Sequence, residues 1–150
     1  MKYSMMAATA LLAATCGLAN AADTATSDHT VKVEALVHSD KAWNGTPYER
    51  YGAGHPELTV LRMHIPAHTT LPWHTHPMPN AAYIISGHLT IEDKVTGQKK
   101  RYNAGEALPE SVDTVHRGMT DSEDTVVVVT YAGTPGTPLS VPVAGGEPEY

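Results

Sequence analysis

The sequence contains no phenylalanine and a single cysteine, and its 10 Lys and Arg are outnumbered by 16 Asp and Glu. Each shortage excludes something. One thiol cannot form an internal disulfide, a thiolate metal cluster or a paired-cysteine redox centre. A formal charge of −6, with basic residues adjoining only at Lys99, Lys100 and Arg101, lacks the cationic face that phosphate neutralisation requires, so no nucleic-acid partner is expected. That triplet reads as a solvated strand end. No stretch after the N-terminal region offers an amphipathic helix of three turns. Charge blocks are also missing: 17% of residues are charged against 41% hydrophobic, a balance that folds. A chain of 150 residues has room for one domain of ordinary size. Histidine is in surplus, with nine copies.

The long apolar run is confined to the start. Lys2 is the only charge before Asp23, and the Ala/Leu/Met-rich stretch from Met5 to Leu18 ends in Ala19-Asn20-Ala21. The run falls short of the ~20 residues that span a bilayer, and the small-x-small triplet offers a cleavage point after Ala21. Residues 1–21 are therefore expected to be a secretory signal peptide that directs the chain to the periplasm or the exterior. No transmembrane segment remains after cleavage. Cys16 leaves with the signal, and a thiol-free mature chain suits an oxidising compartment. A competing reading makes Cys16 the lipidated first residue of an anchored protein, although Thr15 is an unfavourable residue before such a cysteine.

Beyond a polar tail the pattern alternates with period two. Leu61, Met63 and Ile65 fall on one face of residues 58–65, and Arg62 and His64 on the other. Further strands are expected over 31–38, 71–76, 81–86, 88–93, 98–102, 106–108, 114–119 and 125–131. Pro66-Ala67, Pro77-Met78-Pro79, Gly87, Thr96-Gly97, Ala104-Gly105 and Asp121-Ser122 separate them as turns. Many short strands with closely spaced turns predict an all-β sandwich or barrel, and the jelly roll has an interior wide enough for a small ligand. The expected organisation is 22–56 as N-terminal tail and first strands, 57–131 as barrel core, and 132–150 as a wrapping arm or loose tail. Sheet edges and the Val126–Val129 run point to a homodimer.

His74 and His76 are two apart on an expected strand, so both rings leave the same face about 6.8 Å apart along the backbone. That spacing suits two imidazoles converging on one ion, and His116 on a later strand could supply a third once the sheet closes. Neutral imidazole is a common ligand for Zn, Mn, Fe, Ni and Cu, so the expected cofactor is one divalent transition metal. Of the other histidines, His64 and His88 alternate out of phase with their apolar neighbours and are expected to face water. His68 lies on a turn, and His29, His38 and His55 have no assigned partner. Met63, Tyr83, Ile84, Met119 and Tyr131 could line the barrel mouth, although core filler is the preferred reading of each. The acids nearest in sequence, Glu106, Glu110 and Asp113, fall on loop positions with no assigned direction.

The stretch from His74 to His116 resembles the cupin superfamily, whose motifs are written G-x5-H-x-H-x3,4-E-x6-G and G-x5-P-x-G-x2-H-x3-N. His74, His76, position 80 and Gly87 keep the first spacing, and Gly105 and His116 the second. His68 stands for the first Gly, Ser111 and Asp113 for Pro and Gly, Thr120 for the last Asn, and Asn80 for the acidic ligand. The resemblance implies a jelly-roll barrel with a metal on His74, His76 and His116, with Asn80 as a weak ligand or as a hydrogen-bonding neighbour of the ligands.

With no carboxylate in that set, the ion would keep its full charge and attract small oxygenated or anionic molecules. The expected function is handling of such a molecule by lyase, isomerase or dioxygenase chemistry. A non-catalytic binding module and a metal-free structural barrel are the alternatives.

Overall fold

Alternating apolar residues form strands where a partner is available, and the computed structural model, which describes residues 30–150, contains nine. They are β1 (Glu57–Ile65), β2 (His74–Thr75), β3 (Asn80–Ser86), β4 (His88–Asp93), β5 (Lys99–Asn103), β6 (Ala107–Pro109), β7 (His116–Met119), β8 (Thr125–Gly133) and β9 (Val141–Pro142). The signal-peptide and Cys16 readings, and His29, lie outside the described residues. All nine strands belong to the unit Glu34–Tyr150. Among the described residues no helix is long and apolar enough to cross a membrane.

Two antiparallel sheets form, ordered β1-β8-β3-β6 and β5-β4-β7-β2-β9. Their inner faces meet in an all-β jelly roll, where Ile65, Ile84, Val127, Val129 and Tyr131 of the first sheet pack with Leu89, Ile91 and Tyr102 of the second. Full burial of aliphatic residues such as Ile84 and Leu108 contributes about 1.5–3 kcal/mol each. With no phenylalanine, tyrosine, tryptophan and methionine take the large positions: Tyr131, Tyr102, Trp43 and Met78 are buried. The β3–β4 turn rests on Gly87, whose φ of 72° and closeness to the Asp124 carbonyl leave no room for a Cβ.

Two expectations fail here. No strand forms over 31–38: Val31 and Val33 are exposed, and among the described residues no strand pairs with that segment. The strand expected over 71–76 shrinks to His74–Thr75, bounded by Pro72, which has no N–H to donate, and by Pro77. β8, which carries the Val126–Val129 run, is an interior strand that pairs with β1 on one side and β3 on the other.

Candidate metal centre

Strand pairing places the first two rings. His74 lies opposite His116 in the β2–β7 register, and His76 follows on the same face of the chain. All three histidines are buried, with ring centroids separated by 4.6 Å (His74 and His116), 4.9 Å (His74 and His76) and 5.1 Å (His76 and His116). One ligating nitrogen from each ring lies within 4.8 Å of the other two.

The backbone decides which nitrogen that is. His74 Nδ1–H donates to the Pro72 carbonyl at 2.9 Å, His76 Nδ1–H to Leu139 at 2.7 Å and His116 Nδ1–H to Thr114 at 2.7 Å. A carbonyl oxygen only accepts, so each Nδ1 carries the proton and each Nε2 keeps its lone pair. Burial, reinforced by His116, lowers His74 to about 4; burial, reinforced by both other rings, lowers His76 to about 3. Burial lowers His116 as well. The rings are therefore neutral at pH 7, the state that ligates a metal. His116 Nε2 is buried without a hydrogen-bond partner, the mark of a donor set that fits an ion.

Two acids complete the cluster. Glu110, on the loop after β6, is fixed through its backbone, its N–H donating to Asn80 O at 3.0 Å and its carbonyl accepting from the Tyr48 hydroxyl at 2.6 Å. Its Oε2 lies 3.5 Å from His116 Nε2, and Glu149 Oε2 lies 3.4 Å from His74 Nε2. Both oxygens are buried and unpartnered. Burial together with the Glu149 charge raises Glu110 to about 8, and burial raises Glu149 too. Glu149 was invisible to spacing arguments because it arrives on the C-terminal arm; Glu110 had a known position without a direction. Their presence changes the charge balance expected from Asn80 alone.

Met63, Ile65, Leu71, Leu89, Ile91 and Tyr131 are among the side chains that close the cavity around these groups, leaving about 20 Å³, room for one water. Of the residues that could line the mouth, Met63 and Tyr131 take part; Ile84 is core filler, and Tyr83 is exposed. Asn80 is buried opposite Tyr131 in the β3–β8 register. Its Nδ2 donates to Met78 O at 3.3 Å and its Oδ1 is unpartnered. Glu106 turns away to bind Asn103, and Asp113 is exposed.

His64 is exposed as expected, but His88 is not. It shares the outward face of β4 with Thr90 and Glu92, yet the turn after β7 covers it, with Glu123 2.7 Å from Nδ1 and Asp121 3.0 Å from Nε2. Arg117 lies outside the barrel, its guanidinium 4.1 Å from the Trp73 ring centre and 2.6 Å from Glu92.

A family model for the cupin domain matches residues 61–131. The fold is similar to that of the DMSP lyase DddQ from Ruegeria pomeroyi DSS-3, with a TM-score of 0.52 and 19% identity over 66% of this chain and 47% of that one. It is also similar to the polyketide cyclase RemF from Streptomyces resistomycificus, with a TM-score of 0.50 and 16% identity over 57% of this chain and 60% of that one. The chain thus covers less than two thirds of either protein, and at this identity the likeness is one of fold. No curated protein matches the sequence.

Proposed function

The chain belongs to the cupin superfamily, and from that premise we propose that it holds one divalent transition metal on His74, His76 and His116 and presents it to a small oxygenated molecule. The observation that carries this reading is the triple pinning of Nδ1 to backbone carbonyls, which leaves three neutral Nε2 atoms close together in a buried cavity. Neutral imidazoles accept Zn, Mn, Fe, Ni or Cu, and geometry does not choose among them. A bound ion supplies Lewis acidity toward an oxygen ligand.

The chain's own residues do the rest. The three carbonyls hold the rings, Met63, Ile65, Leu71 and Tyr131 exclude water, and Glu110 stands beside His116 as a carboxyl able to exchange a proton at Oε2. The two acids weaken the earlier argument for anionic ligands and favour a neutral oxygenated molecule. Asn80 acts as a hydrogen-bonding neighbour in this reading. Lyase, isomerase or dioxygenase chemistry is in keeping with similarly folded proteins named a lyase and a cyclase. A second reading, a binding module without turnover, is favoured by the small enclosed cavity.

The same proposal includes export, from the charge and apolar pattern of residues 1–21, with lipidation at Cys16 as the alternative. It also includes a homodimer built on the β1 edge, where Leu58 and Val60 are exposed. Elemental analysis of protein purified from its native compartment tests the metal: wild type should hold one equivalent, and His74→Ala and His116→Ala none. A wild type no richer in metal than the variants would refute it. Turnover of small carbonyl substrates by the loaded protein separates enzyme from binding module. A mature mass starting at Ala22 supports export, and one starting at a lipid-bearing Cys16 replaces cleavage by anchoring. Size-exclusion chromatography with light scattering checks the dimer.

A further inference from the structure

The arm after β8 runs beside the segment that carries His74 and His76. Val141 pairs with Thr75 and Pro142 with His74, the Val143 N–H donates to Trp73 O at 3.0 Å, and Leu139 O accepts from His76 Nδ1. A turn closed by the Gly146 N–H on Val143 O at 2.7 Å, with Gly145 at a φ of 78°, redirects the chain over the cavity. Glu149 thereby enters the cavity wall with its side chain 7% exposed, and Tyr150 hydrogen-bonds to Tyr131.

Packing alone gives no reason for an acid there. Glu149 Oε2 is buried without a donor, 3.4 Å from the lone-pair nitrogen of His74, and His116 Nε2 is orphaned in the same cavity. A proton on the carboxyl could satisfy one such contact, but three imidazole lone pairs converge within 4.8 Å of one another on the same cavity, and one cation beside the carboxylate satisfies them together.

Resting on the reading that the three histidines hold a divalent ion, we propose that Glu149 is the carboxylate ligand of that ion, delivered by the C-terminal arm and taking the role for which position 80, here Asn80, is unsuited. Asn80 is absent from the cavity lining, and its amide is committed in part to Met78 O. Metal binding then also fastens the arm. Residues 139–149 would dock more tightly with the ion present, and any molecule reaching the ion must coordinate beside Glu149 or displace it.

The test uses the full chain stripped of metal and reloaded with Co(II) or Zn(II), comparing wild type, Glu149→Gln, Glu149→Asp and His116→Ala. Affinity is read by chelator competition and coordination by the visible Co(II) spectrum. The expected results are one equivalent in wild type, weakening by roughly tenfold or more in Glu149→Gln with a changed Co(II) spectrum, and partial rescue in Glu149→Asp. Hydrogen exchange at the Val143 and Gly146 amides should slow on metal addition in wild type and not in Glu149→Gln. A Glu149→Gln protein with the wild-type spectrum overturns the proposal, whatever its affinity, since a ligand cannot be replaced unseen. Failure of the parent reading looks different: wild type would bind no better than His116→Ala, and the proposal would fall with it.

Discussion

His74 and His116 face one another across the β2–β7 pairing, with ring centroids 4.6 Å apart and each Nδ1 tied to the carbonyl two residues upstream, just before its strand begins. The two rings are thus oriented by local backbone before any ion arrives. A preformed site binds the folded state alone, so binding raises stability. Zinc at 100 times its dissociation constant should stabilise wild type by about 3 kcal/mol and leave His116→Ala unmoved, as read by thermal unfolding with and without the ion.

Stability of the metal-free chain should peak near roughly pH 6. His74, His76 and His116 have lowered folded-state values, so the unfolded chain binds more protons below about 6.5 and stability falls with acid, for His74 until about pH 4 and for His76 until about pH 3, with His116 acting in the same direction. Glu110 and Glu149 have raised values, so folding holds their protons and stability falls as the pH rises above about 4.5, for Glu110 until about 8, with Glu149 acting in the same direction. Each group contributes a slope of roughly 1 kcal/mol per pH unit within its own window. Urea titrations across pH 4 to 9 check this, and bound metal should flatten the alkaline limb by giving the carboxylates a counter-charge.

Gly87→Ala should destabilise by about 1–3 kcal/mol, since the new Cβ would collide with the Asp124 carbonyl at a φ of 72°. His68 and Asp113, at φ 55° and 56°, are non-glycine residues in the same left-handed region. His68→Gly and Asp113→Gly should be neutral, or stabilising by up to ~1 kcal/mol. Chemical denaturation of the three variants compares them directly.

Asp93 joins the N-terminal segment to the barrel: Oδ1 accepts the Val95 and Thr96 N–H groups and Oδ2 the Asn44 amide. Burial pushes this carboxyl up, but the donors outweigh it and hold it below the usual range. Its contribution is therefore full above the unfolded value and lost as pH falls through the folded one. Asp93→Ala should cost about 1–3 kcal/mol at neutral pH, and the difference from wild type should shrink in strong acid. Equilibrium unfolding of both proteins at pH 7 and pH 2.5 measures it.

How far the sequence could be read depended on how locally each feature is encoded. β4 was placed at residues 88–93 and β1 nearly so, because alternation reports a half-buried strand directly. His68 and Asp113 occupy the places where the family motifs carry glycine, and both keep the left-handed backbone, so a departure in residue type preserved the geometry. His74, His76 and His116 were legible because strand periodicity aims the first two together and motif spacing fixes the third. Glu149 was not, since nothing local to residue 149 encodes the pairing of β9 with β2 that carries it there. His88 was misjudged for a related reason: period two gave its face correctly, but the loop bearing Asp121 and Glu123 that covers it comes 33 residues later.

The most direct test of the account is a long-range ¹H–¹⁵N correlation spectrum of the imidazole nitrogens, recorded at neutral pH before and after one equivalent of Zn(II). The account predicts His74, His76 and His116 as Nδ1–H tautomers in the metal-free chain, with all three Nε2 signals shifting together on addition of the ion. Nε2–H tautomers at any of the three, or Nε2 signals that stay in place through the titration, would contradict it.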